Sequence, residues 1–192
     1  MKLIGLIGSA VASGRTRKAV EHACAAAAAK DAGVSYELID VAEKRVSILD
    51  GRRPDEYEDD TAEVIRTLES GNAFIMGSPV YRGTYTGAFK NLLDHAPLNA
   101  FEGKAVGLVA TGATPHHYLA IDHEMRAVLA WFNAWLVPGS VYVDSKSYQD
   151  GALHEEVQEY LRQLGEAVLD LHRHVADMSA GPVPLVNQRR KL

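Results

Sequence analysis

The run Ser78-Pro79-Val80-Tyr81-Arg82-Gly83-Thr84-Tyr85-Thr86-Gly87 follows an apolar stretch at 73–76 and leads into Ala88-Phe89-Lys90-Asn91-Leu92-Leu93-Asp94. Its residue types suit contact with a flat ring. Pro79 stiffens the backbone and lacks an N–H. Gly77, Gly83 and Gly87 let main chain come close to a ligand. Tyr81 and Tyr85 offer broad apolar faces with a polar tip, and Ser78 and Thr84 add hydroxyls. A second cluster, Gly8-Ser9-Ala10-Val11-Ala12-Ser13-Gly14-Arg15-Thr16, lies near the N-terminus. A loop that opens a helix presents unpaired N–H groups and positive dipole to an anion. Ser9, Ser13 and Thr16 supply hydroxyl donors and Arg15 a charged planar fork, a set suited to one phosphate. The spacing is neither the dinucleotide G-x-G-x-x-G nor a P-loop; an ordinary turn with Ser13 or Thr16 as helix cap is the other reading. A third cluster is Thr111-Gly112-Ala113-Thr114-Pro115, small residues rich in backbone donors.

These clusters act together only if the fold gathers them. Short apolar runs alternate with helix-forming stretches. Strands are predicted at 2–7, 34–39, 73–77, 105–110 and 137–143, and helices at 16–32, 61–70, 85–95, 117–135 and 152–176. Residues 52–60, charged and containing Pro54, read as a loop. Strands apolar throughout and separated by helices imply a parallel sheet covered on both faces. The expected fold is α/β, a flavodoxin-like doubly wound five-stranded parallel sheet of order 2-1-3-4-5 with helices on both faces. It spans residues 1–178. Residues 179–192, with Pro182, Pro184 and Arg189-Arg190-Lys191, form an irregular tail that is mobile or reaches to a partner subunit. In that order strands one, three and four are neighbours, and their loops meet at the sheet edge where such folds bind ligands. The layout fits a mononucleotide carrying a three-ring heterocycle. Backbone donors from 80–82 and 111–114 would bond the ring and stabilise the charge it gains on reduction.

Composition narrows the classes. The 192 residues, 47% hydrophobic and 23% charged, suffice for one core. Net charge is −5 with scattered Lys and Arg, which argues against a nucleic-acid surface. No apolar stretch approaches the ~20 residues that span a bilayer, and 1–7 is too short for a signal sequence, so a cytoplasmic protein off the membrane is expected. The single Cys24, in the alanine-rich run 23–29, allows no intramolecular disulfide and reads as a packed thiol. His116, His117 and His123 lack metal-ligand spacing, and there is no Gly-x-Ser-x-Gly elbow. No metal site is expected.

The segment Ser78-Pro79-Val80-Tyr81 with Gly87-Ala88-Phe89-Lys90-Asn91-Leu92-Leu93-Asp94 resembles the signature of the NAD(P)H-dependent FMN reductase family, in the flavodoxin-like superfamily. The likeness continues through Gly103-Lys104-Ala105-Val106 and Ala110-Thr111-Gly112. The stretches His117-Tyr118-Leu119-Ala120-Ile121-Asp122 and Arg126-Ala127-Val128-Leu129 are similar to the branch that supplies reduced FMN to sulfonate- and sulfone-cleaving monooxygenases. The resemblance covers roughly residues 1–150. It implies FMN and NAD(P)H as cofactors, with the FMN phosphate at Ser9, Arg15 and Thr16. The isoalloxazine would meet Pro79, Val80, Tyr81, Thr111, Gly112 and Ala113, and the nicotinamide would stack on its exposed face. Ser13, Ser78 and Thr84 complete the candidate cofactor set. A homodimer or homotetramer and a partner monooxygenase are implied as well. Hydride transfer between nicotinamide and flavin needs no acid or base, so no catalytic side chain is expected.

Two departures stand out. Val11 occupies a position where many relatives carry arginine, Arg15 taking over the charge, and Ala113 replaces the second glycine of Thr-Gly-Gly. Some members of the monooxygenase-partner branch carry an extra tyrosine in the fourth helix that makes a π-bulge, associated with FMN as a substrate; His123 stands at the corresponding position. An FMN-retaining reductase of quinones, azo dyes or metal oxyanions and a non-enzymatic flavodoxin-like electron carrier remain as alternatives.

Overall fold

The structure is a computed structural model that describes residues 1–149 and 151–182. Strands β1 (Lys2–Ile7), β2 (Ser35–Asp40), β3 (Ala73–Pro79) and β4 (Ala105–Thr111) run parallel in the order 2-1-3-4. The far edge consists of two short strands, β5 (Trp135–Leu136) and β6 (Val141–Val143), each parallel to β4. The single fifth strand expected at 137–143 is therefore divided. Pro138 has no N–H for a ladder, and the chain breaks pairing there. Trp135 and Leu136, expected nearer a helix end, pair instead with Ala105 and Val106.

Among the described residues five α-helices cover the sheet: α1 (Arg15–Lys30), α2 (Thr61–Ser70), α3 (Gly87–His95), α4 (Arg126–Trp131) and α5 (Glu155–Val175). Alternate strand residues point to opposite faces. Leu3, Ile7, Ile75 and Val109 meet Val20 and Ala23 of α1 and Leu164 and Val168 of α5. Ile4, Leu6, Phe74 and Met76 meet Leu68 of α2, Phe89 and Leu92 of α3 and Leu129 of α4. Burial on both faces explains why these strands are apolar throughout. The alanines of α1 allow α5 to approach closely: a Cβ on Gly165 would lie 2.3 Å from the Ala23 carbonyl oxygen.

The continuous helix expected over 117–135 is corrected to three pieces. A 3-10 turn (Pro115–His117) is followed by a π-helical turn (Ile121–Met125) and then by α4. The Arg126 N–H bonds to the Ile121 carbonyl five residues back, the mark of a π turn. The Arg126 guanidinium donates to Asp122 at 2.6 Å and to the carbonyls of Val137 (2.9 Å) and Pro138 (2.7 Å), fastening this turn to the break in the edge strand. A small antiparallel hairpin, β7 (Tyr148–Gln149) with β8 (Ala152–Leu153), precedes α5, which starts later than expected. The charged loop holds one 3-10 turn, Pro54–Glu56. In the expected tail, Pro182 accepts a hydrogen bond from the Asn133 amide at 2.9 Å; residues 183–192, with the basic cluster and its expected reach to a partner, lie outside the described residues.

Candidate functional site

Because β1, β3 and β4 are neighbours, the segments leaving their carboxyl ends stand side by side. Hydrogen bonds join them: Gly8 N–H to Gly77 O (2.7 Å), Val80 N–H to Thr111 O (2.8 Å), and Thr16 Oγ1 to Thr111 Oγ1 (2.7 Å). Between them lies a cavity of about 530 Å³. The first segment contributes Ser9, Val11, Gly14, Arg15 and Thr16; the second Pro79, Val80 and Tyr81; the third Thr111, Gly112 and Ala113. Nine of the sequence-predicted cofactor residues meet here, and among the described residues no carboxylate lines the cavity.

At one end is the start of α1. Its N-cap, Gly14, has extended backbone, and no side chain among the described residues caps the helix. The N–H groups of Arg15, Thr16 and Arg17 have no partner among the described residues. Positive dipole and open donors therefore face the cavity. The two arginines of this turn differ. Arg17 is bound to Asp40 (2.8 Å) and Glu43 (2.7 Å), whereas Arg15 has no ion pair among the described residues. Ser9 is buried and accepts the Val11 N–H at 3.1 Å.

At the other end the second segment makes a tight turn. Tyr81 N–H bonds to Thr84 O (2.8 Å) and Thr84 N–H to Tyr81 O (3.3 Å). The two central residues, Arg82 (φ 56°) and Gly83 (φ 88°), are left-handed, as this kind of two-residue turn requires. The turn holds Tyr81 half exposed at the cavity. Tyr85 takes a different place: it is half buried, edge-on to Phe89 with centroids 5.8 Å apart, and burial pushes its phenol pKa upward.

Three candidate residues do not line the cavity. Ser13 is exposed with φ 56°. Ser78 is buried, donating to Pro79 O (3.0 Å) and accepting the Thr86 N–H (3.1 Å), so its hydroxyl shapes the turn. Thr84 donates to Glu124 at 3.4 Å. The expectation for backbone donors also changes. Those of Val80, Tyr81 and Gly112 are taken by Thr111, Thr84 and Val143; those of Arg82, Ala113 and Thr114 have no partner among the described residues. The histidines 116, 117 and 123 are exposed, and no group of three or more His, Cys, Asp or Glu able to hold a metal occurs among the described residues.

Three residues unnoticed in the sequence shape the site. Thr86 caps α3 by accepting the Phe89 N–H (3.0 Å) and donates to Gly8 O (2.5 Å). A threonine just ahead of Gly-Ala-Phe is an N-cap pattern and was legible. Tyr142 and Ser145 donate to the Thr114 and Ala113 carbonyls, each at 2.7 Å; nothing local in the sequence signals them. A larger cleft of about 900 Å³ lies between the β7–β8 hairpin and the start of α5. It is lined by Asp144, Glu155 and Glu156 together with Lys146 and His154, and by none of the candidate residues.

The cavity thus offers open N–H groups and a cation at one end and a proline, an aromatic face and small residues at the other. That chemistry fits a phosphorylated planar molecule. The family model for "NADPH-dependent FMN reductase" matches residues 1–149. The chain is 33% identical over 174 residues to the NAD(P)H-dependent FAD/FMN reductase of Geobacillus thermodenitrificans, covering 90% of this chain and 94% of that protein. It is 34% identical over 125 residues to the NADH-dependent FMN reductase SfnF of Pseudomonas putida, covering 62% and 67%. The apo crystal structure of the NADH:FMN oxidoreductase EMOB superposes with a TM-score of 0.76 at 26% identity, covering 97% and 98% of the two chains.

Proposed function

The chain belongs to the NADPH-dependent FMN reductase family and is an NAD(P)H-dependent FMN reductase; on that premise we propose that FMN occupies the cavity between the first, third and fourth strand loops and exchanges there as a substrate. The observation that carries the proposal is the convergence of a helix start, Arg15 and the Pro79–Tyr81 platform on one cavity where, among the described residues, no side chain caps the helix, no carboxylate pairs with Arg15 and none lines the walls. In this reading the N–H groups of Arg15 and Thr16, with the Ser9 hydroxyl and the Arg15 guanidinium, hold the phosphate. Val80, Tyr81, Gly112 and Ala113 bracket the ring, and its outer face is left to the nicotinamide. When bound, FMN accepts the hydride; these residues fix the ring's position and present donors to the end that gains charge. The reading involves no side chain as acid or base.

The π turn Ile121–Met125 supports exchange over permanent retention. It stands behind the ring-binding turns, with Ile121 and Met125 packed near Val80 and Tyr85, in the helix where some members of the monooxygenase-partner branch carry a π-bulge associated with FMN as a substrate. The proposal extends to delivery of reduced flavin to a monooxygenase, to a cytoplasmic setting and to a homodimer or homotetramer. Among the described residues no helix is long and apolar enough to cross a membrane.

The test is steady-state kinetics on purified protein with NADH and NADPH, with and without free FMN. Consumption of added FMN by a sequential mechanism is expected. Ping-pong kinetics, with FMN held through gel filtration, would instead identify a reductase that keeps its flavin for another acceptor. A Tyr81→Ala variant with unchanged flavin affinity and turnover would remove Tyr81 from the site.

A further inference from the structure

We propose that Tyr142 and Ser145, which do not line the cavity, hold the Thr111–Thr114 loop as a donor-rich rim and so favour reduced over oxidised flavin. The inference rests on FMN lying in the cavity described above. Three of the loop's carbonyls are occupied from outside it. Thr111 O accepts the Val80 N–H (2.8 Å), Ala113 O the Ser145 hydroxyl (2.7 Å) and Thr114 O the Tyr142 hydroxyl (2.7 Å). Only the Gly112 carbonyl has no partner among the described residues. The N–H groups show the reverse pattern: that of Gly112 bonds to Val143 O (3.0 Å), and those of Ala113 and Thr114 are unpaired among the described residues.

Geometry links the two patterns. In a trans peptide the C=O and N–H point in opposite directions. The Ser145 bond to Ala113 O therefore fixes the Thr114 N–H on the side away from Ser145. Tyr142 holds the next carbonyl, that of Thr114. The peptide from Thr114 ends at Pro115 and carries no N–H, so this bond acts by occupying a carbonyl rather than by orienting a donor. Tyr142 sits on β6 opposite Ala110, and its phenol fills the space beside Gly112, where a Cβ would lie 1.9 Å from the Tyr142 oxygen. Burial raises the phenol's pKa, which keeps it a neutral donor at physiological pH. Without these two bonds, the Ala113 and Thr114 carbonyls would be free to turn toward the ring.

That exchange bears on charge. A ring that has accepted hydride is richer in electrons than the oxidised ring. Fixed N–H groups beside it are worth more in the reduced state, and a carbonyl in the same place is worth less. Tyr142 and Ser145 are thus positioning residues that act through the loop backbone.

The experiment compares the full-length protein with Tyr142→Phe, Ser145→Ala and Arg15→Ala. Dissociation constants for oxidised FMN and, under anaerobic conditions, for reduced FMN are measured by fluorescence titration, and the midpoint potential of bound flavin by redox titration. Arg15→Ala should weaken both forms alike, because the phosphate does not change with redox state. Tyr142→Phe and Ser145→Ala should each weaken reduced FMN about three- to tenfold more than oxidised FMN. A tenfold ratio corresponds to a midpoint potential about 30 mV lower. If Arg15→Ala leaves both constants unchanged, the placement of FMN fails and the inference with it. If Arg15→Ala weakens binding but the other two variants leave the ratio and the potential unchanged, or weaken both forms equally, the inference alone is overturned.

Discussion

Arg15 and Arg17 share one turn of α1 and meet different fates. Asp40, 23 residues along the chain, reaches back to Arg17, while Arg15 has no ion pair among the described residues. The Arg15→Ala change should raise the FMN dissociation constant about 10- to 100-fold, from losing a charge-assisted contact worth ~1.5–3 kcal/mol. Fluorescence titration reads it, and an unchanged constant removes Arg15 from the phosphate site. Cys24 makes the opposite case, a residue withdrawn from chemistry. It is fully buried, and burial pushes its thiol pKa far above the ordinary value, so it stays protonated and weakly nucleophilic. It should resist alkylation in the folded protein at pH 8 and react once denaturant is added; native-state labelling would contradict this packing. The types of all three residues were legible in the sequence. Which arginine is ion-paired was not, because that depends on a carboxylate at the end of another strand.

At the scale of elements, the clearest case is the junction of β3 and α3. Thr86 caps α3 and also ties it to Gly8 in the first loop, so one side chain secures a helix end and the candidate phosphate loop. Thr86→Ala should cost about 1–2 kcal/mol of stability, measured by denaturant unfolding, and should also weaken FMN binding. A stability loss with unchanged FMN affinity would limit Thr86 to capping. The helix after β4 shows where pattern reading stops. Its apolar residues are consistent with helix, yet it contains a 3-10 turn and a π turn. The Arg126 side chain, bonded to Asp122 and to two carbonyls at the edge-strand break, stabilises that irregularity. Those carbonyls lie where Pro138 interrupts the ladder, so they can accept from Arg126, a contact that local periodicity does not encode.

The whole molecule decides whether three separate loops make one site. The proposal that they do predicts a thermal signature. A ligand that binds only the folded state adds about 2.7 kcal/mol of stability at a concentration 100 times its dissociation constant. FMN should therefore raise the melting temperature, and riboflavin, which lacks the phosphate, should raise it less at equal concentration. Equal shifts would place the phosphate outside the α1 terminus. By itself the sequence determined the alternation of apolar strands and helices and the residue types offered by the Pro79–Tyr81 turn and the first loop, because these follow from local composition and spacing. Only the tertiary structure decided that Tyr85 and Ser78 turn inward, that the fifth strand is divided, and which backbone donors stay open. Each of those outcomes depends on a partner far away in the chain. A hydrogen-bond donor is available to a ligand only when the fold leaves it without another acceptor.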